Sequence, residues 1–176
     1  PILKEYFEKN GELRFAIMLG QTYLKLGLAN ELDQHLTILE EQFKGHGGVY
    51  FLRGLYWLQL NEHELALQHF LKMEELGLHS TQLWNEIART FLIVQNYKAA
   101  QNYFEKTLAI EPENATALSG KAQCILELGN PEEAFMMAQA SLKLQFFQPN
   151  THYLVALAAN ALDKKDVAEQ AVKVCL

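Results

Sequence analysis

The side chains that could carry chemistry are two cysteines, six histidines and several paired glutamates. Cys124 and Cys175 lie far apart with no CxxC spacing, and no HxxxH or HExxH pair joins the histidines. We predict buried, inert thiols and, at His152, a packed ring with one hydrogen-bonded nitrogen. The glutamate pairs fall on exposed helix faces, where solvated carboxylates are expected, and no GxSxG, Walker or GxGxxG loop is present. The sequence therefore predicts no enzyme and no cofactor.

The elements that must position any functional side chain are clearest in residues 81–114. Apolar residues recur there at steps of three and four, first at Trp84, Ile87, Ala88 and Phe91 and then at Ala100, Phe104 and Leu108. Gln95 and Asn96 interrupt the pattern, and Pro112 ends it because proline removes a backbone donor. The pattern predicts two antiparallel helices that need neighbours to bury both of their faces.

Numbered from Thr81, this stretch places large residues at positions 4, 7, 11 and 24, small ones at 8 and 20, and proline at 32. In type and spacing it resembles the tetratricopeptide repeat. The same register recurs every 34 residues: position 8 holds Gly20, Gly54, Ala88, Ala122 and Ala156, and the turn holds Gly27, Asn61, Gln95, Gly129 and Asp163. The resemblance implies an all-α fold, a right-handed α-solenoid of antiparallel helix pairs.

This register divides the chain into repeats at 13–46, 47–80, 81–114 and 115–148, with a partial repeat at 149–176. Residues 1–12 are predicted to be the end of a preceding helix, with Leu3, Tyr6 and Phe7 on one side and a break at Asn10–Gly11. We expect the natural protein to extend beyond this side of the chain.

The predicted working surface is the concave face formed by the first helix of each repeat. Positions 2, 5, 9 and 12 point there when positions 4, 7, 8 and 11 point into the core. The partner-binding residues predicted in this way are Ile17, Gln21, Phe51, Leu55, Asn85, Arg89, Gln123, Tyr153 and Leu157. Apolar anchors around amide and guanidinium donors suit an extended peptide or a partner helix. We expect Phe51 and Arg89 to matter most, because aromatic and arginine side chains dominate binding energy.

One ligand class is disfavoured. Tetratricopeptide domains that grip chaperone C-terminal tails carry lysine, asparagine, asparagine, lysine and arginine at five set positions, but the matching residues here are Ile17, Gln21, Leu52, Gln82 and Glu86. Without those cations a terminal carboxylate has no partner.

Charge and hydropathy exclude further classes. The chain has 176 residues and a net charge of −6 with no basic run, which argues against nucleic acid. Its apolar stretches are amphipathic and too short to span a bilayer, so no membrane insertion is predicted. No signal-peptide pattern is present, and a cytoplasmic location is expected, although the chain begins at Pro1.

Two alternatives remain beside a protein-interaction scaffold. Residues 140–157 (ASLKLQFFQPNTHYLVAL) and the Ala66–Leu67 to Glu75–Gly77 spacing resemble the repeat arrays attached to bacterial phosphodiesterases and nucleotide pyrophosphatases of the alkaline phosphatase superfamily. That resemblance implies an accessory arm of a larger hydrolase whose catalytic domain lies outside this chain. The other alternative is self-assembly into a homo-oligomer, because Val172, Val174 and Leu176 give the last helix an apolar outer face.

Overall fold

In residues 2–175, the part of the chain that this computed structural model describes, the backbone forms ten α-helices and no strand. They are α1 (Ile2–Leu26), α2 (Ala29–Gln42), α3 (Gly47–Gln59), α4 (His63–Glu75), α5 (Thr81–Ile93), α6 (Tyr97–Ile110), α7 (Ala115–Glu127), α8 (Pro131–Leu144), α9 (Pro149–Ala161) and α10 (Lys165–Cys175). Side chains are described for residues 12–174. The predicted all-α class is confirmed. The predictions for the side chains of Leu3, Tyr6, Phe7, Cys175 and Leu176 lie outside the described residues.

Local sequence explains where the helices of the C-terminal half begin. The side chains of Ser80, Asn96, Asn114 and Asn130 each accept a hydrogen bond from the backbone N–H three residues further on, at 2.9–3.3 Å. Such caps satisfy backbone donors that the first turn of a helix leaves without partners. Pro131 and Pro149 occupy the first turns of α8 and α9, where the missing N–H costs nothing.

The turns inside the helix pairs share one backbone conformation. The five residues predicted for these turns all have a positive φ, namely Gly27 (70°), Asn61 (61°), Gln95 (59°), Gly129 (90°) and Asp163 (57°). Glycine adopts this conformation freely and asparagine or aspartate tolerates it, whereas other residues lose about 1–2 kcal/mol. Gln95 is therefore the one side chain among these five whose type does not suit its turn.

The predicted helix break at Asn10–Gly11 is wrong. Helix α1 runs without interruption from Ile2 to Leu26. A single glycine in a helix costs about 1 kcal/mol relative to alanine, and good helix formers such as lysine, glutamate and leucine flank this one on both sides. An Asn–Gly pair therefore ends a helix only where the following residues also favour a turn.

The chain divides into a first unit, Pro1–His79, and a second unit, Ser80–Leu176. The core of the first unit is built from leucines, a valine and a tyrosine of α1, α2 and α3. The core of the second unit is built around small residues, with alanine at many contacts and Phe104 fully buried. The small residues predicted at repeat position 8, Gly20, Gly54, Ala88, Ala122 and Ala156, are all buried. Their size allows the two helices of a pair to approach closely.

Helix α10 differs from the earlier second helices in what covers it. Repeat position 24 is fully buried in Leu36, Phe70, Phe104 and Ala138, whereas Val172, at the same position of α10, is 43% exposed. The outer face of α10 therefore remains accessible within the described residues.

A network of hydrogen bonds joins α7, α8 and α9 in the second unit. The hydroxyls of Ser119 and Thr151 lie 2.7 Å apart, and Thr151 donates to Gln148 Oε1 at 2.8 Å. Ser141 donates to the Ala115 carbonyl at 2.8 Å and approaches Gln148 Oε1 at 3.4 Å. Thr151 and Ser141 are fully buried, so these bonds satisfy groups that water does not reach.

Candidate functional site

The first helices of the second unit enclose a groove with a volume of about 1030 Å³. Helices α5, α7 and α9 are consecutive neighbours and supply most of its walls. Four of the predicted partner-binding residues, Arg89, Gln123, Tyr153 and Leu157, line it. The structure thus places these four side chains together.

The floor of the groove includes the aromatic ring of Phe104 on α6, beneath α7. A Cβ atom on Gly120 would lie 2.2 Å from Cζ of that ring, so the ring occupies space that only glycine leaves open. Phe104 itself is fully buried within a cluster that contains Ala88 and Cys124. The core of the second unit and the floor of the groove therefore share one side chain.

Apolar side chains at the α9 wall are unusually accessible. Tyr153 is 56% exposed and Leu157 is 39% exposed, and they stand one helical turn apart on the same face of α9. Large apolar side chains exposed side by side in a groove are typical of sites that bind another molecule.

Arg89 is the cationic residue among those that line the groove. Its side chain is 59% exposed, and Nη1 donates one long hydrogen bond, 3.5 Å, to Glu86 Oε1. Glu86 is mostly buried, and this burial raises the pKa of its carboxyl although the charge of Arg89 acts in the opposite direction. Arg89 is therefore weakly held by its own helix and accessible to a second anion.

Two amide side chains lie along the same groove. Gln123, at the middle of α7, and Asn150, in the first turn of α9, make no side-chain hydrogen bond within residues 12–174. A carboxamide has an NH2 donor and an oxygen acceptor, so each of these side chains can bond both the C=O and the N–H of a peptide group.

Asn85 lies in an adjoining cavity of about 380 Å³, which Glu86 and Arg89 also line. Its Oδ1 atom is buried and has no hydrogen-bond partner among the described residues. Asn85 is thus next to the groove, and Arg89 and Thr116 line both cavities.

The four predicted residues of the first unit are placed differently. Ile17 packs against the core cluster that contains Leu13 and Leu36, and Leu55 is half-buried, whereas Gln21 is exposed. Phe51 was predicted to lie outside the core, but it is half-buried, with its ring centroid 5.6 Å from that of the fully buried Phe70. The reason is that Gly54 leaves room for the Phe70 ring to reach α3. Truncation of Phe51 would therefore disturb packing and cannot test binding alone.

Sequence reasoning missed the charged cluster around Arg53. This arginine is 6% exposed; Nε and Nη2 donate to Glu40 at 2.8 and 2.9 Å, and Nη1 donates to Asp33. Burial lowers the pKa of Arg53, but the hydrogen bonds and charges of Glu40 and Asp33 outweigh it, and the net direction is upward. The available signal was an arginine at repeat position 7, which holds Ile87 in the third repeat and Val155 in the fifth.

The predictions of a buried Cys124 thiol and a packed His152 ring with one hydrogen-bonded nitrogen are confirmed, whereas Glu40, predicted to be solvated, is half-buried against Arg53. Cys124 is fully buried, and this burial raises the pKa of its thiol to about 12. His152 is buried, and its Nε2 lies 2.9 Å from the Phe146 carbonyl oxygen.

Among the described residues no three His, Cys, Asp or Glu side chains are arranged to hold a metal ion. A helix with the length and hydrophobicity needed to cross a membrane is likewise absent from the described part.

Residues 94–175 match the family model of subunit 3 of the anaphase-promoting complex, or cyclosome. The matched segment is just under half of the chain and lies wholly within the second unit. No curated protein matches the sequence.

Solved structures with a similar fold cover most of the chain. The structure of a fragment of MamA from Desulfovibrio magneticus RS-1, from residue 41 to its end, superposes on this chain with a TM-score of 0.81. The two sequences are 18% identical, and the superposition covers 92% of each chain. PilF of Pseudomonas aeruginosa has a TM-score of 0.81 at 17% identity, over 92% of this chain and 74% of its own. A chain of the APC/C hetero-tetramer Cut9–Hcn1 has a TM-score of 0.78 at 15% identity, over 92% of this chain and 32% of its own. At these identities the likeness concerns the fold alone.

Proposed function

We propose that this chain, whose helix pairs have the tetratricopeptide fold, is a non-catalytic protein-interaction scaffold that binds an extended segment of a partner protein in the groove of the second unit. The fold suggests a protein-binding role, and the Cut9–Hcn1 structure is that of a hetero-tetramer. The observation that carries the proposal is the pairing of exposed Tyr153 and Leu157 with an unbonded Gln123 in one groove.

The amide in the groove favours an extended ligand over a helix. In a helix the backbone N–H and C=O groups already bond each other, so a free Gln123 side chain would meet few available partners. An extended peptide presents these groups unbonded along its whole length, and alternate side chains can enter the groove. The volume of about 1030 Å³ slightly exceeds the range for small-ligand clefts and suits an occupant of several residues.

The test is selection of random 12-residue peptides, displayed on phage, against the native 176-residue chain. We expect enriched peptides, and we expect the double variant Tyr153→Ala/Leu157→Ala to bind them at least about tenfold more weakly, since each buried aromatic or leucine side chain is worth about 1.5–3 kcal/mol. Its melting temperature should change little because both side chains are well exposed.

The matched control is Phe147→Ala/Leu128→Ala, which removes the same kinds of exposed side chain outside the groove. This control should bind the selected peptides as well as the native chain does. Failure to enrich any peptide, or equal loss of binding in both double variants, would count against the groove as the binding surface.

Self-assembly through α10 is the second candidate, and the exposure of Val172 supports it. A second copy could cover the position that the next helix pair covers in the earlier repeats. Light scattering coupled to size-exclusion chromatography at two concentrations tests this proposal. We expect the mean mass to rise with concentration in the native chain and to stay that of a monomer in Val172→Glu, whereas a monomer at both concentrations in the native chain excludes this candidate.

A further inference from the structure

We propose that the segment bound in the groove carries one acidic side chain, which pairs with Arg89, and an apolar side chain roughly five or six residues away, which packs on Tyr153 and Leu157. This inference rests on the proposed function and specifies the chemistry of the partner at the same site.

Arg89 is suited to an external carboxylate because its internal partner is a poor one. Glu86 reaches Nη1 at 3.5 Å, at the limit of a hydrogen bond, and leaves most of the guanidinium exposed. A guanidinium has five N–H donors and can bond a carboxylate through two of them at once. A ligand carboxylate can therefore bind Arg89 without breaking a strong bond in the free protein.

Three residues at one repeat position define the order in which a ligand meets the charged, polar and apolar groups of the groove. Arg89, Gln123 and Leu157 all occupy position 9 of their repeats, on α5, α7 and α9. A segment that crosses these helices meets a guanidinium, then a carboxamide, then an isobutyl group. An acidic residue at one end and an apolar residue at the other is the complementary arrangement.

Helix geometry sets the distance between those two ligand residues. Packed helices lie roughly 8–10 Å apart, so two steps from α5 to α9 span roughly 16–20 Å. An extended peptide advances about 3.3 Å per residue, which places the acidic and apolar residues roughly five or six positions apart. Gln123 then lies opposite the backbone between them, where its amide can bond peptide groups.

The surrounding charges favour a single acidic side chain over an acidic run. The chain has a net charge of −6, and Glu127 also lines the groove. A second negative charge on the ligand would be repelled by Glu127 and by the net negative charge of the chain. No other cation among the described residues of the groove lining would offset this repulsion, since Arg89 already pairs with the first acidic side chain.

The test uses the peptides selected on phage, which are fused through their C-termini and therefore present only side-chain carboxylates. We expect enriched sequences with one Asp or Glu and an apolar residue at the stated spacing. For a synthetic peptide with blocked ends, measured by fluorescence polarisation, Arg89→Glu should weaken binding at least about tenfold, as expected for loss of a charge-assisted hydrogen bond. Changing the acidic residue of the peptide to lysine should restore binding to Arg89→Glu.

The matched control is Arg14→Glu, which reverses an exposed arginine on α1 outside the groove and should leave binding unchanged. Enriched peptides without an acidic residue, or equal binding by the native chain and Arg89→Glu, would overturn the acidic pairing and leave the proposed function intact. Absence of any enriched peptide would overturn both.

Discussion

Replacement of Arg53 by alanine is expected to destabilise the first unit by about 2–3 kcal/mol. Removal of one partner from a buried ion pair costs about 3–5 kcal/mol, and the half-exposed side chains of Asp33 and Glu40 reduce that figure because water can reach them. The loss has two parts: the two carboxylates then face each other without a cation, and the space of a long side chain becomes empty.

Urea denaturation can isolate this effect because the chain has two tryptophans, one in each unit. In a Trp84→Phe background, fluorescence of Trp57 reports the first unit, whose core it contacts. Arg53→Met fills much of the space without the charge and should lose less stability than Arg53→Ala. Arg14→Ala, at an exposed position of the same unit, should stay within about 0.5 kcal/mol of the native value. A loss below about 1 kcal/mol for Arg53→Ala would show that the cluster contributes little.

Gly120→Ala is expected to lower the stability of the second unit by about 1–3 kcal/mol, although alanine is the better helix former by about 1 kcal/mol. The added methyl group would lie 2.2 Å from Cζ of Phe104, whose ring is fully buried and packed within its cluster. Either Phe104 leaves its rotamer or α7 moves away from α6. For a domain of this size the melting temperature, followed by circular dichroism, should fall by about 5–15 °C.

The double variant Gly120→Ala/Phe104→Leu identifies the cause. A leucine lacks the far edge of the ring, so the second substitution should cost less in the Gly120→Ala background than in the native chain. Independent, additive losses would mean that glycine is needed at residue 120 for another reason.

The helices and turns were predictable because they depend on short-range spacing. Small residues at position 8 and turn residues at position 15 recur every 34 residues, and each of them has the same local role in the structure. The groove residues of the second unit followed from the same register: Arg89, Gln123 and Leu157 share position 9 and therefore one helix face, beside the inward face of position 8. Their role in binding remains a prediction.

What sequence reasoning missed depends on contacts between distant residues. The Arg53 cluster requires side chains 13 and 20 residues away to converge on one guanidinium, and helix periodicity alone does not reveal that convergence. Phe51 was predicted to be free because its register position faces outward, but Gly54 admits the Phe70 ring beside it. In both cases a contact between two helices, and not the repeat register alone, decides where the side chain lies.

The hydroxyl and amide network that joins α7, α8 and α9 restricts how this part of the chain can change over evolutionary time. Apolar core residues can be exchanged one by one, because neighbours of similar volume compensate. Replacement of Ser119 or Gln148 instead removes one of the two hydrogen bonds of the fully buried Thr151 hydroxyl, at a cost of about 1–3 kcal/mol. In proteins descended from this sequence, these residues should therefore be kept together or replaced together. The apolar core residues of the second unit should instead be replaced one at a time.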